Sequence, residues 1–135
     1  MKTINKISFQ DIATIPQLVK DFLNQNIEGF EENTFSLQNF KNKIHEKQNA
    51  FKPEKREILA EILENQLSGL TISPRQRQNI QYIKLENTFT ITTGHQLNLF
   101  SGPVFFVYKI LQTIKTCSYL KDNFPEFNFV PVYWM

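Results

Sequence analysis

The chain has 135 residues, with 15 lysines and arginines against 13 aspartates and glutamates, so its net charge at pH 7 is +2. This length allows one domain with its own core and excludes a multidomain enzyme. Hydrophobic residues make up 41% and charged residues 21%, which excludes a disordered chain. So small a net charge predicts neither a nucleic-acid partner nor an anionic membrane surface. A single cysteine, Cys117, excludes an internal disulfide framework and a cysteine-rich zinc site.

Both ends of the sequence carry information about the whole protein. No apolar run approaches the roughly 20 residues that span a bilayer, and the first residues lack the apolar core and cleavage site of a secretory signal. We therefore expect a cytoplasmic protein without membrane spans. The sequence stops within residues 130–135, an apolar stretch typical of a buried strand, whereas domains usually finish in a polar tail. This ending predicts a truncated chain or a fragment.

Helix signals dominate residues 1–87, which hold 23 of the 28 charged residues. Capping residues, proline positions and the 3.6-residue spacing of apolar side chains predict four helices in this segment. They run from the Thr14–Pro16 turn to Asn24, from Ser36 to Phe51, from Pro53 to Gln66, and from Ser73 to about Lys84. Gly69 is the expected C-cap of the third helix, and Ser73, Pro74 and Gln76 predict a capping box for the fourth.

The composition changes in residues 88–135, which hold only five charged residues. The pattern predicts a strand over residues 89–93 that Gly94 ends, a helix over residues 103–120 and a second strand over residues 127–134. A strand, a helix and a strand in this order form a βαβ unit with parallel strands and a right-handed crossover. The sequence therefore predicts an α/β fold. Its N-terminal helices, residues 1–87, precede the incomplete start of a parallel-sheet core domain, residues 88–135.

Apolar spacing also predicts which faces of two helices are buried. In the third helix the apolar stripe consists of Ile58, Leu59, Ile62, Leu63 and Leu67. In the helix between the strands it consists of Tyr108, Leu111, Ile114 and Cys117. The position of Cys117 on this apolar side predicts a buried and unreactive thiol.

The segment after the first strand, residues 92–103, is the strongest candidate for a binding site. Ligands of open parallel sheets bind beyond the carboxyl ends of the strands, next to helix N-termini. Gly94 allows a sharp turn and a close backbone approach, and Ser101 and Gly102 precede a helix start that favours an anion. His95 suits proton transfer or phosphate pairing.

Each of these residues also has a purely structural explanation. Glycines are ordinary in a strand–helix turn, and a histidine at a strand end is often a hydrogen-bonded structural residue. Lys109 either anchors a phosphate or closes the polar edge of its helix, and the residues support both interpretations equally. The sequence contains no Walker phosphate loop, no Gly-x-Gly-x-x-Gly dinucleotide motif and no Gly-x-Ser-x-Gly nucleophile elbow. The residues alone predict an α/β chain with an anion-binding loop.

One set of motifs resembles a known family. It consists of Thr93-Gly94-His95-Gln96 with Leu99-Phe100-x-Gly102-Pro103, then Tyr108-Lys109, then Val130-Pro131-Val132-Tyr133-Trp134. Their order and spacing are similar to those of the bacillithiol biosynthesis cysteine-adding enzymes, the BshC family. The resemblance extends over essentially the whole chain, as an N-terminal portion, and it is most specific in residues 88–135.

The resemblance implies a Rossmann-like core related to nucleotidyltransferases, with a coiled coil through which the whole protein forms a homodimer. It implies a ligase that joins cysteine to glucosamine malate through an amide, and a site that can bind a nucleotide, ADP or ATP. The resemblance implies no metal ion. The implied substrate- or anion-binding residues are Thr93, Gly94, His95, Gln96, Ser101, Gly102, Tyr108 and Lys109. His95 is the best catalytic candidate, but many relatives carry Gln there, which favours hydrogen bonding to the substrate.

Two other interpretations stay open. One is a nucleotidyltransferase-like protein in which His95 and the helix N-terminus hold the phosphates of a nucleotide. The other is a small helical interaction module whose exposed phenylalanines bind a partner. Because the family continues beyond the second strand, and two strands alone leave a sheet with exposed edges, we expect the 135 residues by themselves to be inactive and poorly stable.

Overall fold

The computed structural model describes residues 6–96 and 102–134, apart from the side chain of residue 32. Within these ranges the chain forms five α-helices and two β-strands. The helices are α1 (Gln17–Leu23), α2 (Leu37–Ala50), α3 (Pro53–Leu67), α4 (Pro74–Ile83) and α5 (Val104–Asn123), and the strands are β1 (Thr88–Gly94) and β2 (Asn128–Trp134). All the predicted helices and strands are therefore present, and their ends differ from the prediction by a few residues.

The chain divides into two compact units, residues 1–43 and residues 44–135. The first unit contains α1, the beginning of α2 and two short 3-10 helices, Phe9–Asp11 and Glu31–Asn33. α1 begins after Pro16, which is itself the extended N-cap residue, so the predicted cap at the preceding turn is wrong. Pro16 has a ψ of 143°, which is outside the helical range, so the first helical residue is Gln17. The predicted domain boundary at residue 87 stays a prediction.

α4 begins with the capping box that the sequence predicts. The Ser73 hydroxyl accepts a hydrogen bond from the Gln76 backbone N–H at 3.2 Å, and the Gln76 side chain accepts one from the Ser73 N–H at 2.8 Å. Pro74 occupies the first helical position. Backbone N–H groups in the first turn have no intrahelical acceptor, so the N–H that proline lacks costs α4 no hydrogen bond. The cap fixes where α4 starts, and the helix then buries Ile80 and Ile83.

The buried face of α3 differs from the predicted apolar stripe. Arg56 is buried, whereas Ile58 and Ile62 have 57% and 47% of their surface exposed. The main partner of α3 is α4, so the helix is covered on one side, and these two isoleucines lie outside the covered side. The predicted C-cap is also wrong, because Ser68 takes that position in right-handed geometry and Gly69 does not adopt a positive φ.

Arg56 is the centre of the packing between α3, α4 and β1, with only 4% of its surface exposed. Its guanidinium donates hydrogen bonds to the carbonyl oxygens of Ile83 (3.2 Å), Thr88 (3.0 Å) and Glu86 (3.3 Å). It also lies 5.2 Å from the centre of the Phe51 ring. Burial lowers the pKa of Arg56, and the negative charge of Glu86 partly offsets this effect. One side chain of α3 thus ties the end of α4 to the start of β1.

β1 and β2 form a two-stranded parallel sheet, as the βαβ pattern predicts. The pairing runs from Thr88 opposite Asn128 to Gly94 opposite Trp134. α5 connects the two strands and packs on both of them, and its Leu120 is fully buried. The fold is therefore α/β, and the carboxyl ends of both strands lie at one end of the sheet.

α5 buries a different side from the predicted one. Its buried side chains are Thr113, Cys117 and Leu120, whereas Tyr108, Leu111 and Ile114 are exposed. Apolar residues occur on both sides of this helix, so spacing alone does not identify the side that packs on the sheet. Cys117 is buried as predicted, and burial raises the pKa of its thiol to about 11 against a weaker opposing effect of Arg75.

Candidate functional site

The carboxyl ends of β1 and β2 meet the first turns of α5, at the place where the sequence predicts a site. Gly94 ends β1 and Trp134 ends β2. The His95 N–H donates a hydrogen bond to the Trp134 carbonyl at 3.4 Å, which extends the contact between the strands by one residue. Ligands bind beyond strand ends of this kind, because the backbone pairing stops there and a helix begins nearby.

Space, and not backbone conformation, requires a glycine at position 94. A Cβ atom there would lie 2.7 Å from Nε1 and 2.9 Å from Cε2 of the Trp134 indole, and 3.0 Å from the Trp134 carbonyl oxygen. Contacts this short force neighbouring atoms to move, so a side chain at Gly94 would push the indole away. The predicted close approach is confirmed. The predicted sharp turn is wrong, because Gly94 is still part of β1.

His95 lies against aromatic side chains of α5. The centre of its ring is 5.1 Å from that of Phe105 and 5.8 Å from that of Phe106, and its Nδ1 lies 2.9 Å from the Gln96 carbonyl oxygen. A carbonyl oxygen only accepts, so this contact is a hydrogen bond when the ring carries a proton on Nδ1. The Tyr133 hydroxyl donates to the His95 carbonyl at 3.4 Å. Both the ring and the backbone of His95 are thereby held in place.

Lys109 reaches back from α5 to the end of β1. Its ammonium donates a hydrogen bond to the Gly94 carbonyl at 3.3 Å and lies 5.6 Å from the centre of the Phe105 ring. An ammonium has three protons, so this contact leaves donors for a ligand. Tyr108 is 67% exposed, and its hydroxyl forms no hydrogen bond with any part of the chain that the structure describes. The structure thus brings Lys109 to the strand end and leaves Tyr108 outside these contacts.

The N-terminus of α5 lies where the sequence predicts an anion site. Gly102 has a φ of +60°, in the left-handed region that favours glycine. Pro103 is the N-cap residue and provides no side-chain hydrogen bond to the first turn of the helix. The predicted site residue Ser101 lies outside the described residues, as do Leu99 and Phe100 of the family motif.

Thr93 and Gln96 complete the predicted set. Thr93 lies in β1 opposite Tyr133 and is half-buried. Gln96 is exposed, and its carbonyl is the acceptor near the His95 ring. Lys109 therefore contacts Gly94 directly, and the His95 ring and the Lys109 ammonium both lie near the Phe105 ring. Thr93 and Gln96 are next to these residues in the chain.

The sequence analysis missed the aromatic side chains that surround this strand end, namely Phe105, Phe106, Tyr133 and Trp134. Phe106 and Tyr133 meet edge to face with ring centres 5.3 Å apart, which joins α5 to β2. Aromatic residues are also typical of a hydrophobic core, because they supply large apolar surfaces. Their position is the signal that could have identified them, since two belong to the first turn of α5 and two end β2.

A concave feature lies beside α4, α5 and β2, and it contains none of the predicted site residues. It is an open groove of about 1530 Å³ whose lining includes Arg75, Arg77 and Lys121. Lys121 is already engaged with the chain, because it donates to the carbonyl oxygens of Pro125 at 2.8 Å and Phe127 at 2.9 Å. The predicted site is therefore a strand end lined by aromatic rings, separate from this groove.

Residues 6–96 and 102–134 contain neither a candidate metal site nor a candidate membrane span. No group of three or more histidine, cysteine, aspartate and glutamate side chains in these ranges is placed to hold a metal ion. No helix in the same ranges combines the length and the apolar character that crossing a membrane requires.

Comparison with known proteins identifies the family. The family described as "Bacillithiol biosynthesis BshC, N-terminal Rossmann-like domain" matches residues 1–135. The chain belongs to the BshC family. The predicted resemblance is thus confirmed, and β1, α5 and β2 form part of a Rossmann-like domain. No solved structure matches the chain.

Curated BshC proteins match almost all of this chain. One from Flavobacterium psychrophilum is 47% identical over 132 residues, one from Flavobacterium johnsoniae is 46% identical over 131, and one from Christiangramia forsetii is 41% identical over 133. Each has the name "Putative cysteine ligase BshC". The matches cover 96%, 96% and 97% of this chain and 25% of each relative. The chain therefore spans about a quarter of the length of these relatives.

Proposed function

We propose that this chain supplies the N-terminal domain of a cytoplasmic ligase that joins cysteine to glucosamine malate in bacillithiol biosynthesis. The observation that carries the proposal is the BshC match over residues 1–135. The name of the relatives supports the ligase class and cysteine as a substrate. The position of His95 and of the Lys109 ammonium at the ends of two parallel strands supports a small-molecule site in this domain.

In the proposed reaction, the amino group of glucosamine malate attacks the carboxyl carbon of cysteine. The C–N bond of the amide forms, a C–O bond of the carboxyl group breaks, and the departing oxygen leaves with the proton of the amine as water. His95 is the candidate to contact this amino group, because its imidazole lies at the strand end and histidine is the side chain that most often transfers protons in enzymes. The ammonium of Lys109 and the N-terminus of α5 supply positive charge suited to a carboxylate or a phosphate. The other proposed substrate-binding residues are Thr93, Gly94, Gln96, Ser101, Gly102 and Tyr108.

A nucleotide, ADP or ATP, is a second candidate ligand. An exposed indole and a helix N-terminus suit its base and its phosphates, but the sequence has no phosphate-loop motif, so we assign no step to it. Amide formation needs a well-placed or activated carboxyl, an amine and a base, and one loop does not provide all three. We therefore propose that these 135 residues alone do not catalyse the reaction. The proposed active form is a longer homodimer that pairs through a coiled coil.

Deletion of the gene that encodes this chain tests the proposal in cells. We expect the deleted strain to lose bacillithiol and accumulate glucosamine malate, both measured by mass spectrometry after thiol labelling. The unchanged gene restores bacillithiol, whereas a His95→Ala gene lowers its rate of synthesis about 100-fold or more if His95 transfers a proton. Lys55→Met, an exposed substitution in α3, is the matched control and leaves synthesis unchanged. An unchanged bacillithiol content after deletion contradicts the proposed function.

A further inference from the structure

Two consecutive phenylalanines of α5 contact the imidazole of His95. The centre of the Phe105 ring lies 5.1 Å from that of the imidazole, and the Phe106 ring lies 5.8 Å away and almost perpendicular to it. Since an α-helix turns by about 100° per residue, the two rings approach from different directions. Phe106 also packs edge to face on Tyr133 of β2. The contact between the helix and the sheet therefore explains the place of Phe106.

The packing of the sheet does not explain the place of Phe105 in the same way. The side chain is 51% exposed. Within residues 6–96 and 102–134, its contacts with rings and charged groups are those with His95 and with the Lys109 ammonium, which is 5.6 Å from the ring centre. Lys109 follows Phe105 by four residues, a spacing that brings helix side chains together, and it donates to the carbonyl oxygen of Gly94. These contacts of Phe105 therefore all lead to the end of β1.

We propose that Phe105 is a positioning residue of the ligase site, whose ring holds the His95 imidazole in the orientation that the reaction needs. This inference rests on the proposed function and deepens it, because it names a side chain through which His95 is placed. A histidine side chain turns about two bonds. The contact of Nδ1 with the Gln96 carbonyl restrains this rotation, and the aromatic contact restrains it further, because paired rings prefer particular geometries. Phe105 itself needs no contact with the substrate.

The rate of bacillithiol synthesis in the deleted strain, complemented with variant genes, tests this role. Phe105→Leu keeps an apolar side chain but removes the ring. We expect it to lower the rate about 2- to 12-fold, which is the change in population that the contact of one aromatic pair can cause. Phe105→Tyr keeps the ring and the rate of the parent. Phe30→Leu is the matched control, since it makes the same change at a phenylalanine of similar exposure, 52%, and leaves the rate unchanged.

A second genetic background separates positioning from a purely structural role. In a His95→Gln gene there is no imidazole for Phe105 to hold, so adding Phe105→Leu has no further effect on the rate. A residue that only supports the fold lowers the rate by the same factor in both backgrounds. Circular dichroism of the purified variants verifies that they keep the fold of the parent chain.

Nuclear magnetic resonance detects the contact independently of activity. The chain has two histidines, and His45, an exposed residue of α2, serves as the internal reference. In the parent chain we expect nuclear Overhauser effects between the ring protons of His95 and those of Phe105. We expect Phe105→Leu to shift the ring signals of His95 and to leave those of His45 in place.

The possible results separate this inference from the proposed function. A rate in Phe105→Leu equal to that of the parent, an equal loss in the His95→Gln background, or unshifted His95 signals each overturn the positioning role and leave the ligase function in place. An unchanged bacillithiol content after gene deletion overturns both. If His95→Gln alone stops synthesis, the His95 signals decide. A loss of rate that Phe105→Tyr avoids and that disappears in the His95→Gln background supports the inference.

Discussion

Replacing Arg56 by methionine tests the packing on which β1 depends. Methionine has a similar length and keeps the apolar contact with Phe51, but it has no hydrogen-bond donor. The carbonyl oxygens of Ile83, Thr88 and Glu86 then lose the guanidinium that satisfies them. We expect the variant to unfold much more readily than the parent chain, because carbonyls buried without a partner are costly.

The expected magnitude follows from these three hydrogen bonds. Hydrogen bonds to a charged group contribute about 1.5–3 kcal/mol each, and the two to Ile83 and Thr88 are fully buried. The bond to Glu86 is only partly buried, so water can replace it. Removal of the guanidinium also relieves the cost of burying its charge, which is the cause of its lowered pKa. The net loss is then about 3 kcal/mol, or about two orders of magnitude in the unfolding equilibrium.

Urea denaturation measures this loss, followed by far-ultraviolet circular dichroism and by the fluorescence of Trp134. At typical slopes the midpoint falls by about 1–3 M urea. Lys55→Met is the matched control, since Lys55 is the exposed neighbour of Arg56 in α3, and its effect stays within about 0.5 kcal/mol. An equally small effect of Arg56→Met would refute the reasoning that this side chain ties α4 to β1.

Three further predictions concern the α4 cap, the strand end and the buried thiol. Ser73→Ala removes the hydroxyl that caps α4 and costs about 1 kcal/mol in urea denaturation; an equal loss in Ser73→Asn, which keeps a capping oxygen, contradicts this role. Gly94→Ala places a Cβ against the Trp134 indole, which costs about 1–2 kcal/mol and shifts the tryptophan emission; an unchanged emission shows that the indole does not lie there. The thiol pKa of Cys117 is raised to about 11 in the folded chain, whereas an unfolded chain ionises near pH 8.5, at about the ordinary value. The free energy of unfolding therefore falls as pH rises from about 8.5 to about 11, and this decrease is smaller in Cys117→Ala; equal pH profiles contradict the burial of the thiol.

Local signals explain why the order of helices and strands could be predicted. The capping box at Ser73 depends on residues three positions apart, and the first strand on an unbroken β-branched and aromatic run. The parallel pairing then follows from the helix between the strands, since such a connection is too long for a hairpin. Predictions of this kind need no knowledge of distant contacts.

The faces of the helices could not be predicted from the same signals. α5 carries apolar residues on both sides, and only contact with the sheet decides that Thr113, and not Leu111, is buried. Arg56 is a stronger example, because arginine is rarely buried unless it is paired. Its partners are backbone carbonyls, which have the same chemistry in every sequence. Side-chain patterns therefore contain no sign of this contact.

Only part of the candidate site could be predicted, because the sequence does not show which apolar residues lie at the strand end. Gly94, His95 and Lys109 stand out in a charge-poor segment, and the structure places Lys109 in contact with Gly94 and places both His95 and Lys109 near Phe105. Trp134 and Phe106 do not stand out, because they belong to apolar stretches that are also typical of a core. Whether such a residue is buried or lies at a strand end depends on the register of the sheet, which brings Trp134 opposite Gly94.

The parallel register has a consequence for the order of folding. Thr88 pairs with Asn128, so β1 finds its partner only after the residues of α5 have been added to the growing chain. Local contacts such as the Ser73 cap involve only neighbouring residues, so they can form before later parts of the chain are synthesised. During synthesis on the ribosome, α4 therefore has the means to form early, while β1 leaves the exit tunnel with its edge unpaired. β1 therefore stays without its β2 partner during the interval between the emergence of the two strands.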